Sequence, residues 1–131
     1  MPKLLTGECY CRTVGFEVED GFGYALNCHC SNCRRTTGSA FKPFAGIALE
    51  KVRLTRGADR LLIQGTPDAG DIHCGQCGSL LWSVVRAGAF AHVPLGVLTE
   101  APSIRPTAHI FVGSKAPWFE ITDDLPQHEE F

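Results

Sequence analysis

Cys28-His29-Cys30-Ser31-Asn32-Cys33 is the stretch on which the fold turns. Three thiols this close in sequence favour a shared soft metal ion, because one ion can collect ligands from a short run of chain. Working outward, Cys9-Tyr10-Cys11 lies before it and Cys74-Gly75-Gln76-Cys77 after it, so all seven cysteines of the chain fall into clusters of two, three and two. A structural zinc site takes four protein ligands, and a zinc held by three keeps an open position where chemistry occurs. Seven thiols therefore divide into one closed site and one open site.

The spacing admits two ways of making that division. Cys30, Cys33, Cys74 and Cys77 would form an ordinary zinc ribbon, leaving Cys9, Cys11 and Cys28 scattered. Alternatively Cys9, Cys11, Cys74 and Cys77 close one site and Cys28, Cys30 and Cys33 stay together, which uses every cysteine and splits no cluster. In extended backbone, residues i and i+2 face the same way. Cys9 with Cys11, and Cys28 with Cys30, can thus approach one ion, while His29 turns to the opposite face and makes a poor fourth ligand. The glycines in Cys74-Gly75-Gln76-Cys77-Gly78 relax the backbone so that amides can turn toward sulfur. A disulfide framework is disfavoured by the odd cysteine count and by an N-terminus with no apolar signal-peptide core. Unpaired thiol clusters without an export signal point to a reducing, cytoplasmic location.

The rest of the chain narrows the class. Its 131 residues, 44% of them hydrophobic, suit one domain spanning residues 1–131, small enough to benefit from metal staples. Charged residues are 20% of the chain and the formal net charge is −2, with no basic stripe, which argues against a nucleic-acid partner. Seven thiolates with two zinc ions would take that charge to about −5. The longest apolar stretch, from Ala87 to Leu98, is broken by His92, Pro94 and Gly96, so no membrane span is expected.

Short runs of β-branched and aromatic residues between glycines and prolines predict a mainly β fold. The candidate strands are Thr13–Glu19, Tyr24–Cys28, Phe44–Leu49, Val52–Thr55, Arg60–Gln64, Leu80–Val85 and Phe90–Val93, with a weaker one at His109–Val112. Ser31–Thr37, ended by Gly38, reads as one or two helical turns with a glycine cap, and Leu95–Leu98 as a single turn. The acidic segment from Asp123 to Glu130 reads as solvated surface.

Four motifs in order then carry a resemblance. Gly7-Glu8-Cys9-Tyr10-Cys11, Cys28-His29-Cys30-Ser31-Asn32-Cys33-Arg34-Arg35-Thr36-Thr37-Gly38, Cys74-Gly75-Gln76-Cys77-Gly78 and His109-Ile110-Phe111-Val112-Gly113-Ser114-Lys115-Ala116-Pro117-Trp118-Phe119 together resemble the glutathione-dependent formaldehyde-activating enzyme family. The likeness runs from about Leu5 to Glu130. It implies a β-tent fold of small antiparallel sheets pinned by zinc, two ions per chain. It assigns Cys9, Cys11, Cys74 and Cys77 to a structural zinc and Cys28, Cys30 and Cys33 to a catalytic one. The implied activity is that of a carbon–sulfur lyase joining the thiol of glutathione to formaldehyde, as S-hydroxymethylglutathione synthase does. The partners are then glutathione or a related small thiol and a small aldehyde.

Glutathione carries two carboxylates, and the cations nearest the motifs are the candidate contacts: Arg34 and Arg35 beside the three-cysteine run, and Lys115 in the closing motif. Thr36 and Thr37 suit capping, and Trp118 and Phe119 suit core or rim. His109 is a candidate proton carrier, although a lone histidine on an apolar β segment is more often structural. A zinc-stapled domain that binds glutathione without turning it over is the alternative. A protein-interaction domain, as the distant resemblance to centromere protein V allows, is the other.

Overall fold

The structure is a computed structural model that describes residues 3–131. It contains ten strands in chain order: β1 (Leu4–Glu8), β2 (Gly15–Glu19), β3 (Tyr24–Cys28), β4 (Lys42–Ala48), β5 (Val52–Arg56), β6 (Leu61–Thr66), β7 (Ala69–Cys74), β8 (Leu80–Val85), β9 (Phe90–Pro94) and β10 (His109–Ile110). One α-helix, α1 (Ser31–Thr37), follows β3, and four short 3-10 turns punctuate the remainder. Three strands form a small antiparallel sheet in the order β1-β2-β5. The other seven form a second sheet in the order β10-β3-β4-β9-β8-β7-β6. Every pairing is antiparallel except β10 with β3. The expectation of small antiparallel sheets is thus corrected to one small sheet and one large mixed sheet.

The main core joins the two sheets. Leu5, Phe16 and Val18 of the small sheet pack with Ile72, Leu81, Trp82 and Val93 of the large one, and Phe16 meets Trp82 edge to face at 5.4 Å. Two strands escaped the sequence pattern. In β1 the inward positions are Leu5 and Gly7, and over Gly7 the Phe16 ring lies so closely that a Cβ would sit 2.3 Å from it. The hydrophobe for that position is therefore supplied from the neighbouring strand. In β7 the inward residues are Gly70, Ile72 and Cys74, interleaved with Asp71 and His73, so little aliphatic signal remains. Among the described residues no helix is long and apolar enough to cross a membrane.

The helix and the tail matter for the site. Ser31–Thr37 is helical as expected, and it ends on Gly38 in the left-handed conformation (φ 65°), its N–H bonded to the Arg34 carbonyl. The acidic tail is exposed but tied down. His109 N–H donates to Pro126 O and His128 N–H to His109 O, while Phe111 N–H donates to Glu130 O. The tail thus covers the free edge of β10, which otherwise would present unpaired backbone groups.

Candidate metal centres and cleft

The seven thiols gather into two groups: Cys9, Cys11, Cys74 and Cys77 in one, and Cys28, Cys30 and Cys33 in the other, with the sulfurs of each group within 4.8 Å of one another. No cysteine is in a disulfide. The ribbon alternative, which mixed Cys30 and Cys33 with Cys74 and Cys77, is excluded by this placement. A tetrahedral zinc with bonds of 2.3 Å separates its sulfurs by about 3.8 Å. Cys9 Sγ lies 3.6 Å from Cys11 Sγ, and Cys11 Sγ lies 3.8 Å from Cys74 Sγ. The thiols of the first group are therefore already spaced for that ion.

Backbone turns bring those four together. Cys9 directly follows β1 and opens a tight turn in which Arg12 N–H bonds Cys9 O and Arg12 takes φ 66°. The expected extended geometry of Cys9-Tyr10-Cys11 is thus replaced by a turn, which converges the two thiols just as well. At the other knuckle, Gln76 N–H and Cys77 N–H both point at Cys74 Sγ from 3.4 Å, and Val14 N–H points at Cys9 Sγ from 3.3 Å. Such donors soften thiolate charge. Without an ion the thiols differ widely in acidity. Burial pushes Cys9 up to about 11. Burial also opposes ionisation of Cys77, but the hydroxyl and amide of Ser79 outweigh it and bring Cys77 down to about 5.

The second group is built by β3 running into α1. Cys28 is the last residue of β3, and Cys30 is the N-cap of α1, its sulfur accepting Cys33 N–H at 3.2 Å. Here the chain is extended as expected, and His29 turns away from the sulfurs. Cys28 lies below the usual thiol range because Cys33 donates to it, and the same contact with burial pushes Cys33 far up. Three thiols with a displaceable proton suit a soft ion with one open position.

His29 and His109 form a buried relay on the far face. His29 Nε2 and His109 Nδ1 are 2.8 Å apart, and His109 Nε2 donates to Asp123 at 3.0 Å. If Asp123 fixes the Nε2–H tautomer of His109, its Nδ1 accepts from His29. That leaves His29 Nδ1 buried with no partner. Burial, with the charges of His109 and Lys115, pushes His29 down to about 4, so it stays neutral. The relay also braces the short parallel pairing of β10 with β3.

Cys28 and Cys33 of this group border a cleft. Its floor is one face of the large sheet. Side-chain alternation places Tyr24, Leu26 and Cys28 of β3 beside Gly46, Phe44 and Lys42 of β4, their ladder partners in that order. His92 of β9 partners Gly46, and Ser83 and Asp71 continue the row across β8 and β7. Gly46 is required there, since a Cβ would lie 2.2 Å from the Tyr24 ring that crosses it. The Tyr24 hydroxyl reaches His92 Nε2 at 2.6 Å, and Phe44 stacks on His92 at 4.2 Å between centroids. Burial, followed by the charges of Lys42 and Arg86, pushes His92 down to about 4.

Lys42 was not visible as a site residue in the sequence. It is 5% exposed, lies 5.5 Å over the Phe44 ring, and makes only a long 3.5 Å hydrogen bond to Ser83 Oγ. Ser83 in turn donates to Asp71 at 2.6 Å. Among the described residues no carboxylate pairs directly with the Lys42 ammonium, and Lys42 lines the cleft together with Cys33. Arg86 sits on the β8–β9 hairpin in a left-handed conformation (φ 54°), its guanidinium over the rings of Phe90 (4.6 Å) and Tyr24 (5.5 Å). A clue existed in the sequence: Tyr24 and Leu26 share parity with Cys28. Nothing local marked Lys42, Arg86 or His92.

The cations expected from the motifs are placed differently. Arg34 and Arg35 lie on α1, next to Cys33 in sequence; Arg34 is half-buried with no partner for its Nε, and Arg35 is exposed. Neither lines the cleft. Lys115 donates its ammonium to the carbonyls of Ala116 and Phe119 and is likewise outside the cleft. Thr37 caps the end of α1 through Cys33 O at 2.7 Å. Phe119 packs on Phe41 and near His29, whereas Trp118 is largely exposed.

The fold and site define a β protein with two thiolate clusters capable of coordinating metal, one enclosed by four cysteines and one bordering a cleft with three. A family model described as glutathione-dependent formaldehyde-activating enzyme matches residues 4–114. Among solved structures, a crystal structure of a Rhodobacter sphaeroides protein, a structural genomics target, aligns with a TM-score of 0.60 and 32% identity, covering 77% of this chain and 91% of that one. No curated protein matches the chain. The chain belongs to the glutathione-dependent formaldehyde-activating enzyme family.

Proposed function

We propose that the chain is a zinc-dependent carbon–sulfur lyase that makes and breaks an adduct of glutathione, or a related small thiol, with an aldehyde. The observation that carries the reading is the contrast in setting: Cys28 and Cys33 of the three-thiol group border a cleft lined by the buried Lys42, whereas Cys9 and Cys74 of the four-thiol group sit in the main core. In this reading Cys9, Cys11, Cys74 and Cys77 hold a structural zinc that pins a single domain. Cys28, Cys30 and Cys33 hold a second zinc for catalysis.

When bound, that second zinc supplies a soft, open coordination position that favours a thiol as its anion. In the synthetic direction the thiol sulfur bonds to the aldehyde carbon, the carbonyl electron pair moves onto oxygen, and oxygen takes up the proton the thiol releases. Lys42 offers an ammonium where that oxygen gains negative charge, in a site walled by the rings of Tyr24 and Phe44. His92, held neutral by burial beside Lys42 and Arg86, keeps the Tyr24 hydroxyl in place. Arg34 and Arg35 are proposed to meet the glutathione carboxylates from α1, and Lys115 to support that end through the loop it braces. The proposed setting is a reducing, cytoplasmic one.

The test is magnetisation-exchange NMR on glutathione and formaldehyde at equilibrium, with and without zinc-loaded protein. Faster exchange that Cys33→Ala abolishes supports the lyase. Glutathione binding with no change in exchange supports the non-catalytic binding domain, and no binding of any small thiol supports a protein-interaction role.

A further inference from the structure

The cleft has two arms that differ in chemistry and meet at Cys33 and Lys42. One arm, about 450 Å³, runs over Tyr24, Leu26, Phe44, Ile110 and Phe111 and is bounded mostly by carbon. The other, about 460 Å³, runs over Asn32, Thr36, Asp71 and Ser83 and offers hydroxyl, amide and carboxylate groups. Both volumes lie in the range of small-molecule sites. Both arms also share Val85, Arg86 and His92.

This division has no use for formaldehyde. Its single carbon carries only hydrogens, so it would leave the apolar arm filled with water, and apolar surface around a reacting centre is put to use only by a substrate that covers it. Glutathione does not fill that arm either. Its amides, ammonium and carboxylates need polar partners, which lie in the other arm and on the basic groups near it. The apolar arm begins at the sulfurs, since Cys28 and Cys33 both border it. Whatever occupies it must be joined to the carbon that bonds the substrate sulfur.

We propose that the aldehyde carries an aromatic or medium-chain aliphatic substituent, which lies in the arm over Tyr24, Leu26 and Phe44 while the thiol's polar body lies over Ser83 and Asp71. The inference rests on the reading of the cleft as the site of a glutathione–aldehyde adduct and adds the class of aldehyde. Leu26 and Phe44 line it, and Ile110 borders it on the β10 side, where the residue is the ladder partner of Cys28. The bond changes are those already given; only the group on the carbonyl carbon differs.

Inert S-substituted glutathiones reproduce the adduct without reacting, so binding reads the arm independently of turnover. Zinc-loaded protein is titrated calorimetrically with S-methylglutathione, S-hexylglutathione and S-benzylglutathione. The hexyl or benzyl compound is expected to bind about tenfold or more tightly than the methyl compound, the scale on which an apolar pocket rewards added carbon. In Leu26→Asp, a half-exposed position, that ratio should shrink toward unity, because the arm then holds a charge. Equal affinities for the three compounds on wild-type protein would overturn the inference and leave the glutathione reading standing. A preference that survives Leu26→Asp unchanged would overturn it too, by showing that the substituent binds elsewhere. Failure of all three to bind would remove both.

Discussion

The two cysteine groups are made of the same atoms and differ in what surrounds them. Around the four-thiol group, amides of Val14, Gln76 and Cys77 point at sulfur, and two of its cysteines, Cys9 and Cys74, are buried in the main core. Around the three-thiol group one amide points at sulfur, and Cys28 and Cys33 border a cleft. The first arrangement offers one ion four thiols, drawn from the segment after β1 and from the end of β7 and the turn that follows. The second offers three, in a cleft that Lys42 also lines. In the proposed reading, ligand number and access to the cleft, rather than ligand type, separate a staple from a reaction centre.

Breaking the staple should have the largest effect. Cys77→Ala is expected to abolish cooperative thermal unfolding monitored by circular dichroism, because structural zinc in small domains contributes on the order of 10 kcal/mol to folding. Cys33→Ala should leave the melting transition in place while reducing thiol–aldehyde exchange at least about a hundredfold, checked on the same preparation. If both variants unfolded alike, the contrast between the sites would be lost.

The histidine relay sharpens the comparison from the other face. His109→Ala removes the partner of a buried His29 nitrogen and should cost about 1–3 kcal/mol in urea unfolding, with zinc content unchanged. A smaller effect is expected from pH. His92 is held down to about 4, against about 6.5 in an unfolded chain. The unfolded state therefore binds the proton first, so this stabilisation is complete above pH of about 6.5 and falls away as pH drops toward 4. His92→Gln should flatten the slope of stability against pH in that window. Arg35→Ala, at an exposed position, should change stability by no more than about 0.5 kcal/mol while weakening glutathione binding if the proposed contact holds.

What was legible in the sequence was local. The cysteine clusters, the α1 cap at Gly38 and strands such as Tyr24–Cys28 and Leu80–Val85 each carry their signal within a few residues. β1 was not legible because one of its two core positions is Gly7, covered by the Phe16 ring, and β7 because its inward residues include Gly70 and Cys74. The cleft was least legible. Lys42, His92 and Ser83 become neighbours of Cys28 only through the register of β3, β4, β9 and β8, and each reads in sequence as an ordinary surface residue. Arg34, Arg35 and Lys115 stood out by proximity in sequence; they lie on α1 and after β10, outside the lining of the cleft, and their contact with glutathione stands as a proposal.

The central claim is that seven thiols make two unlike metal sites, and native mass spectrometry of protein loaded with excess zinc tests it most directly. The account predicts two zinc ions per wild-type chain and one per chain in folded Cys33→Ala. A single zinc per fully loaded wild-type chain would contradict it.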